Sequence, residues 1–269
     1  MDVIGFIGGG NMAEALIKGV IAAKVYPPEN IIVSDIRPER LELLKNEYKV
    51  RTTADNAELA RSVDVLVLSV KPQNMSGALE SIKGSVDADT LVVSIAAGIK
   101  TKMIASALGN VGVVRVMPNT PALIGEGAAA LYATNRAKPM LRKAQRIFEA
   151  VGVAVFVDDE SLIDAVTAVS GSGPAYFFLL MEEMTKAAVE LGLSEDTAKK
   201  LVLQTAKGAA LLAAEREKNS ETPAVLRKKV TSPGGTTEAA LKVFAEGDFG
   251  PLVTAALKRA RDRSVELSG

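Results

Sequence analysis

Short apolar runs alternate with amphipathic stretches along the first 160 residues of the chain. Strand-length runs of mainly aliphatic residues predict seven β-strands, at residues 3–7, 31–34, 63–70, 90–95, 111–116, 128–132 and 153–157. Helical periodicity predicts the intervening helices, at residues 12–23, 38–47, 75–82, 101–108 and 138–150. Strands that alternate with helices form βαβ units, so this region predicts an α/β fold with a doubly wound, mainly parallel sheet.

After about residue 160 the strand pattern stops, and helical patterns continue to the end of the sequence. A long helical stretch at 161–192 is interrupted near Gly171 to Pro174, and further helices are predicted at 194–218, 223–229, 236–246 and 250–266. Ser194 is the candidate N-cap of the second of these helices. We therefore predict two domains, an α/β domain at residues 1–159 and an all-α domain at residues 160–269.

Part of the predicted helical domain is apolar on nearly every side, at residues 163–169 and 177–180. A helix that is apolar all round must be buried, and a domain of this size has a limited interior. We therefore expect a large subunit interface here, and hence a homodimer. One central helix ringed by the others is the alternative interpretation.

The amino-acid composition excludes several kinds of catalytic and metal-binding site. The chain has 32 basic and 32 acidic residues, and it contains no histidine and no cysteine. Histidine-based triads, zinc or iron–sulfur sites of the usual ligand types and disulfides are therefore excluded, and no metal is expected. Zero net charge argues against nucleic acid or an anionic membrane as the main partner. No stretch of about 20 residues lacks charge and no signal peptide is evident, so we expect a soluble, cytoplasmic protein without a membrane span.

A glycine pattern follows the first predicted strand and opens the first predicted helix. Gly8, Gly10 and Ala13 form the sequence G-x-G-x-x-A. In this pattern the first glycine permits a tight turn, the second lets the backbone approach a pyrophosphate, and the small third residue lets helix and strand pack closely. Backbone N–H groups at the helix start then hold the phosphates. The pattern predicts a Rossmann-type domain that binds a dinucleotide.

Two charges after the second predicted strand bear on which dinucleotide binds. Asp35 lies 22 residues beyond Ala13, where a carboxylate accepts the adenosine ribose hydroxyls and repels a 2′-phosphate, which favours NADH. Arg37 pairs with a 2′-phosphate, which favours NADPH. The alternative is that both are ordinary solvated loop charges. The cofactor is therefore NADPH or NADH, and we expect that both are used.

Three other loops follow predicted strands at the edge where a dinucleotide would lie. They are residues 69–73 with Lys71, residues 96–98 with Ala97, and residues 117–121 with Asn119. Two prolines stiffen the turn around Asn119, at the place that nicotinamide should reach. Lys71 is a candidate contact to a ribose or to substrate, or else a plain surface lysine.

A second glycine-rich segment lies in the predicted helical domain. Residues 231–238 read TSPGGTTE and precede a helical pattern. Such a turn is commonly a helix cap made by Ser or Thr. The segment also combines two glycines, several hydroxyls and the free N–H groups of a helix start, which suit a small carboxylate. We favour an anionic substrate site, to which the turn at residues 171–174 contributes a second wall unless it is only a kink between packed helices.

These motifs together resemble those of the pyrroline-5-carboxylate reductase family. The matching segments are IGFIGGGNMAEAL, LSVKPQ, RVMPNTPALIGEGAAALY, VSGSGPAYFFLLMEEM and P-x-x-LR-x-x-VTSPGGTTEAAL. The last of these is the most specific marker. The resemblance implies hydride transfer from NADPH or NADH to the C=N bond of 1-pyrroline-5-carboxylate. The product is L-proline, in the final step of proline biosynthesis.

The resemblance also assigns roles to individual residues. The pyrophosphate would be lined by Gly8, Gly10, Asn11 and Met12. The ribose and nicotinamide side would be contacted by Asn56, Val70, Lys71, Pro72 and Asn119. The substrate carboxylate would be held by Ser232, Gly235, Thr236 and Thr237, from the partner subunit of an interlocked helical dimer that commonly assembles into a decamer. Thr237 is the implied catalytic residue, and because a hydroxyl is a weak acid it would hydrogen-bond the ring nitrogen or relay a proton.

Two other functions compete with this interpretation. β-Hydroxyacid dehydrogenases share the layout and the turn at residues 171–173, but they use a lysine where this chain has Phe177. A dinucleotide-sensing protein of the same fold without turnover is the non-enzymatic alternative. Ser232, Gly235 and Thr237 argue against it, because a sensor does not need a carboxylate cradle.

Overall fold

Eight strands form one sheet in the computed structural model, which describes residues 2–268. In chain order they are β1 (Ile4–Ile7), β2 (Ile31–Ser34), β3 (Arg51–Thr53), β4 (Val65–Leu68), β5 (Leu91–Ser94), β6 (Gly112–Met117), β7 (Gly127–Ala133) and β8 (Gly152–Phe156). Their order across the sheet is β3-β2-β1-β4-β5-β6-β7-β8. All neighbours are parallel except β6 and β7, which are antiparallel. The predicted doubly wound, mainly parallel sheet is confirmed.

Six helices cover the two faces of this sheet. They are α1 (Asn11–Ala22), α2 (Pro38–Tyr48), α3 (Asn56–Arg61), α4 (Met75–Ser81), α5 (Thr101–Leu108) and α6 (Leu141–Glu149). Alternate residues of β4 enter separate apolar clusters. Val65 and Val67 pack in the cluster that contains Leu16 of α1, whereas Leu66 and Leu68 pack in the cluster that contains Leu79 of α4. Both faces of the strands are therefore buried, which explains their nearly continuous apolar sequences.

One strand and one helix of the sheet region were not predicted from the sequence. β3 has the sequence Arg-Thr-Thr, is only partly buried and lies at the edge of the sheet, so no apolar run marks it. α3 has six residues, and the Asp55 carboxylate caps it by accepting hydrogen bonds from the N–H groups of Ala57 and Glu58. Such short elements fall below the length at which periodicity can be recognised.

The second half of the chain is helical, as predicted. Its helices are α7 (Leu162–Val166), α8 (Gly173–Glu190), α9 (Glu195–Glu217), α10 (Pro223–Lys229), α11 (Thr236–Glu246) and α12 (Phe249–Leu267). A π-helical turn, Thr167–Gly171, separates α7 from α8 and accounts for the predicted interruption. Ser194 caps α9, because its hydroxyl oxygen accepts a hydrogen bond from the N–H of Thr197 at 3.3 Å.

The chain divides into two compact units. One runs to Pro174 and includes the residues from Arg259 onward, and the other is Ala175–Lys258. Within the first unit, the end of α12 returns to α7, where the buried Ser264 hydroxyl donates to Asp164 Oδ1 at 2.7 Å.

Apolar side chains are exposed throughout the second unit of the isolated chain. Phe177 is 65% exposed and Val243 69% exposed. Among the described residues of this unit, only Ala198 and Val202 are buried. The alternative of one central helix ringed by the others is wrong, because α8 presents its large apolar side chains outward. An exposed apolar surface of this extent marks an interface with another molecule.

One helical stretch, Leu162–Glu190, is long and apolar enough to cross a membrane by length and composition alone. We did not expect such a stretch from the distribution of charges. It carries an ion-paired group near its end, where Lys186 binds Glu182 and Glu183 at 2.7 and 2.8 Å. A helix buried in a subunit interface meets the same length and composition criteria.

A buried ion pair links the sheet to the start of the helical half. Arg115 on β6 is 2% exposed, and its Nη1 lies 3.2 Å from Oε1 of Glu160. The same carboxylate accepts hydrogen bonds from the N–H and the hydroxyl of Thr101, both at 2.7 Å, at the start of α5. Glu160 therefore neutralises a buried cation and caps a helix.

Replacing this carboxylate should destabilise the fold. In Glu160→Gln the Arg115 cation stays buried without a counter-charge, and we expect the free energy of unfolding to fall by about 2–4 kcal/mol, somewhat less than for a fully buried pair. Urea denaturation at a fixed protein concentration measures this change. The control is Glu80→Gln, which removes an exposed ion pair with Lys83 and should cost less than about 0.5 kcal/mol. Equal effects of the two substitutions would contradict the prediction.

Candidate active site

The glycine loop lies between the end of β1 and the start of α1. Gly8 has φ +96°, and a Cβ there would lie 2.8 Å from the carbonyl oxygen of Ser69, so both backbone conformation and space require glycine. Gly10 precedes α1, and a Cβ there would meet nothing within 4 Å. Ala13 is fully buried against the sheet. The loop thus has a closed protein side and an open side, where the N–H groups of Asn11 and Met12 begin the helix.

Asp35 contacts the glycine loop directly. Its Oδ2 accepts a hydrogen bond from the N–H of Gly9 at 2.8 Å, and its carboxylate pairs with the Arg37 guanidinium at 2.9 Å. The Asp35 side chain is 8% exposed and that of Arg37 51%. Burial acts to raise the pKa of Asp35, but hydrogen bonds from Arg37 and Gly9 outweigh it and hold the pKa below its ordinary value. Asp35 is therefore not an ordinary solvated charge, because its carboxylate is mostly buried and paired with the Arg37 guanidinium.

The other expected cofactor residues follow the carboxyl ends of neighbouring parallel strands. Val70, Lys71 and Pro72 follow β4, and Ala97 follows β5. Lys71, Pro72 and Ala97 are exposed, whereas Val70 is half-buried. Because β1, β4 and β5 are consecutive parallel strands of the sheet, these loops and the glycine loop all lie at the carboxyl ends of the strands, where a dinucleotide site is expected.

The two asparagines that the family resemblance assigns to the cofactor hold protein segments together. Asn56 Oδ1 accepts a hydrogen bond from the Ser34 hydroxyl at 2.6 Å, and its Nδ2 donates to the Ser81 hydroxyl at 3.0 Å. Asn119 Oδ1 accepts from the N–H of Ala128 at 2.8 Å, and its Nδ2 donates to the carbonyl of Ser170 at 3.1 Å. The Asn56 amide therefore connects the ends of β2 and α4, and the Asn119 amide connects β7 with the π-helical turn.

The second glycine-rich segment forms a turn before α11, in the second unit. Gly234 has φ +69°, and the N–H of Gly235 donates to the Ser232 carbonyl at 3.0 Å. The alternative interpretation, a cap made by a Ser or Thr side chain, is not formed. Instead the Glu238 carboxylate accepts a hydrogen bond from the N–H of Gly234 at 2.7 Å. Thr236 and Thr237 are the first two residues of the helix, so their N–H groups face the open end of α11.

Glu221, an acidic residue of the same unit, is not among the site residues predicted from the sequence. Its Oε1 accepts a hydrogen bond from Lys229 Nζ at 2.7 Å, which holds the pKa of this carboxyl below its ordinary value. Its Oε2 is buried and has no hydrogen-bond partner among residues 2–268. Such an oxygen is available to a donor from a ligand or partner. Only its surroundings in the structure distinguish it from the chain's other acids.

Comparison with known proteins decides the family. A family model described as pyrroline-5-carboxylate reductase dimerisation matches residues 160–267, and one described as NADP oxidoreductase coenzyme F420-dependent matches residues 3–98. The pyrroline-5-carboxylate reductase of Pseudomonas aeruginosa is 48% identical over 267 residues, which cover 98% of this chain and 96% of that one. This chain belongs to the pyrroline-5-carboxylate reductase family. The family resemblance stated from the motifs is confirmed.

Other members support the same assignment. The Synechocystis reductase is 44% identical, over 98% of this chain and 97% of that one. A pyrroline-5-carboxylate reductase structure from Coxiella burnetii has a TM-score of 0.94 at 42% identity and covers 100% of this chain and 99% of its own. The Plasmodium falciparum enzyme, solved with NADP bound, has a TM-score of 0.86 at 30% identity, over 100% and 98% of the two chains. The pyrroline-5-carboxylate reductases are NAD(P)-dependent oxidoreductases, and the near-full-length match to this family decides against the β-hydroxyacid dehydrogenase alternative.

The pairing of Asp35 with Arg37 predicts an effect on cofactor preference. Asp35→Ser removes the carboxylate that repels a 2′-phosphate and frees the Arg37 guanidinium. We expect kcat/KM for NADPH relative to NADH to rise about tenfold, even if both values fall because Gly9 loses its partner. Steady-state kinetics with each cofactor measures the ratio. The control Asp89→Ser changes a fully exposed carboxylate and should leave the ratio unchanged; an unchanged ratio in Asp35→Ser as well would reject the role of Asp35.

Proposed function

We propose that this protein reduces 1-pyrroline-5-carboxylate to L-proline with NADPH or NADH, the final step of proline biosynthesis. The observation that carries the proposal is the turn at Ser232 to Thr237 before α11, in a chain whose first unit has a complete dinucleotide loop at Gly8 to Gly10. A dinucleotide-sensing protein needs the loop alone, whereas a reductase needs both.

The residues of the first unit fit a dinucleotide. The open space at Gly10 admits a pyrophosphate, and the N–H groups of Asn11 and Met12 at the start of α1 would bind it. Lys71, Ala97 and Asn119 would border the nicotinamide side. When bound, the dinucleotide supplies the hydride, so the task of these residues is to hold it at the right place relative to the imine.

The turn before α11 is suited to the carboxylate of the substrate. Ser232 offers a hydroxyl, and Thr236 and Thr237 offer N–H groups at the positive end of the helix dipole, while Gly235 forms the turn by donating its N–H to the Ser232 carbonyl. These groups bind an anion without requiring a lysine or arginine. Holding the carboxylate fixes the ring and so orients its C=N bond for hydride addition.

Thr237 is the candidate for assisting the ring nitrogen. The C=N carbon accepts hydride more readily when the nitrogen is protonated. A threonine hydroxyl is too weak an acid to supply that proton by itself near neutral pH. Thr237 would therefore donate a hydrogen bond to the neutral nitrogen or relay a proton to it from water. If instead the substrate arrives already protonated, the Thr237 hydroxyl oxygen would accept a hydrogen bond from its N–H.

Dimerisation would complete the site. The exposed apolar helices of residues 175–258 need a cover, and the first unit has an apolar groove of about 410 Å³ whose walls include Val153, Val155 and Val169. In an interlocked helical dimer, the substrate turn of one subunit would serve the dinucleotide site of its partner, and dimers would assemble further into a decamer. Residues 1–159 would then be the cofactor domain and residues 160–269 the substrate and dimerisation domain of a cytoplasmic enzyme.

The assay for this function follows the reduced cofactor. Purified full-length protein mixed with 1-pyrroline-5-carboxylate and NADPH or NADH should oxidise the cofactor and release L-proline, measured by absorbance and by amino-acid analysis. Omitting the imine is the control. No oxidation with either cofactor would overturn the proposed function.

Substituting Thr237 tests its catalytic role separately. Thr237→Ala should lower kcat about ten- to hundredfold, a modest value for the loss of one hydrogen bond to a transition state. Thr237→Ser should restore most of it, because serine keeps the hydroxyl. The control is Thr254→Ala, whose hydroxyl donates only to the Gly250 carbonyl within its own helix. Unchanged turnover in Thr237→Ala would remove Thr237 from catalysis and leave the overall function standing.

A further inference from the structure

Arg40, in the first turn of α2, contacts the glycine loop from its protein side. Its guanidinium donates hydrogen bonds through Nε to the carbonyl oxygen of Gly9 and through Nη2 to that of Gly10, the latter at 3.4 Å. Nη2 also pairs with the Glu14 carboxylate on α1. The Arg40 side chain is 14% exposed. One arginine thus connects two loop carbonyls with the helix that the loop begins.

The partners of Arg40 hold its side chain in place. The Tyr48 hydroxyl donates to the second oxygen of Glu14 at 2.8 Å. Burial acts to raise the pKa of Glu14, but hydrogen bonds from Arg40 and Tyr48 hold it below its ordinary value. Burial, together with the Glu14 carboxylate, raises the pKa of Tyr48 to about 12. The cluster therefore keeps one charge state through the neutral range, with the Arg40 cation neutralised by Glu14.

The peptide groups of the loop are held from the protein side at each glycine. The Ser69 hydroxyl donates to the Gly8 carbonyl at 2.5 Å, and Arg40 donates to the Gly9 carbonyl. The Gly10 carbonyl accepts the first helical hydrogen bond of α1, from the N–H of Glu14 at 2.9 Å, with Arg40 as a longer second donor. The Gly9 N–H is bound by Asp35. A carbonyl turned toward a phosphate would repel it, whereas an N–H group attracts it. Fixing the carbonyls away from the ligand leaves the N–H groups at the start of α1 directed toward it.

We propose that Arg40 is a positioning residue for dinucleotide binding, which acts by fixing the Gly9 carbonyl and, with it, the peptide group that carries the N–H of Gly10. This inference rests on the proposed function, because it takes the glycine loop to be the pyrophosphate site. Arginine is needed because its planar fork presents several donors in fixed directions, which the single ammonium of a lysine does not. Since Glu14 neutralises its charge, Arg40 acts through geometry and not by attracting the phosphates.

The test measures NADPH binding to the full-length protein by calorimetry, together with turnover. Arg40→Gln should raise the Kd for NADPH about ten- to hundredfold, the range for losing charge-assisted hydrogen bonds, while kcat at saturating NADPH stays within about twofold. Arg40→Lys should bind nearly as weakly as Arg40→Gln. The matched control is Arg136→Gln, whose guanidinium also donates to a carbonyl, that of Ala88, but before β5 at the opposite end of the strands. It should leave Kd unchanged.

Each outcome separates the inference from its rivals. An unchanged Kd in Arg40→Gln, even with lowered thermal stability, reduces Arg40 to a structural tie and overturns the proposal. Restoration of Kd by Arg40→Lys shows that charge and not geometry matters, and overturns it also. If Arg40→Gln does not fold, Glu14→Gln decides, because it loosens Arg40 without removing it; a Kd raised at least threefold supports the proposal and an unchanged Kd rejects it. Failure of the unsubstituted protein to bind NADPH contradicts the proposed function instead.

Discussion

The orientation of three consecutive peptide groups, at Gly8, Gly9 and Gly10, is the constraint on which the site depends. A loop that binds phosphates through N–H groups must turn its carbonyls elsewhere and satisfy them. Here side chains from separate elements do this. The Ser69 hydroxyl, which follows β4, binds the Gly8 carbonyl, and Arg40 on α2 binds the Gly9 carbonyl. The backbone conformation of the turn itself requires glycine at position 8. The order of the strands matters because β2 and β4 flank β1 and carry these groups to the loop.

Two features of the composition, the absence of histidine and the zero net charge, are consistent with the way in which the two proposed sites would work. An anion can be met by the start of a helix and by glycine turns without added lysine or arginine. Hydride addition to an imine needs little proton transfer from side chains, since the dinucleotide supplies the hydride and water can supply the proton. A chain with 32 basic and 32 acidic residues and no histidine is consistent with such a reaction.

Polar residues at the cofactor edge illustrate a limit of motif reasoning. Asn56 and Asn119 are predicted to face the ligand, and in this structure their amides bind the ends of β2 and α4, and β7 and the π-helical turn, respectively. A motif can mark a residue because it touches the ligand or because it shapes the loop that does. Buried Arg115 and half-buried Glu160 have a purely structural role, since they join β6 to the start of α5 and to the residues just before α7.

The sequence by itself determined the α/β class, most of the strands and helices, the glycine loop and the family, because these depend on local periodicity and on contiguous motifs. It did not reveal β3 and α3, which are too short and too exposed to carry a pattern. Only the tertiary structure decided the pairing of Asp35 with Gly9 and of Arg40 with Glu14, each between residues 26 positions apart. These contacts form because parallel strands bring distant loops to one edge of the sheet, and local sequence does not encode that proximity.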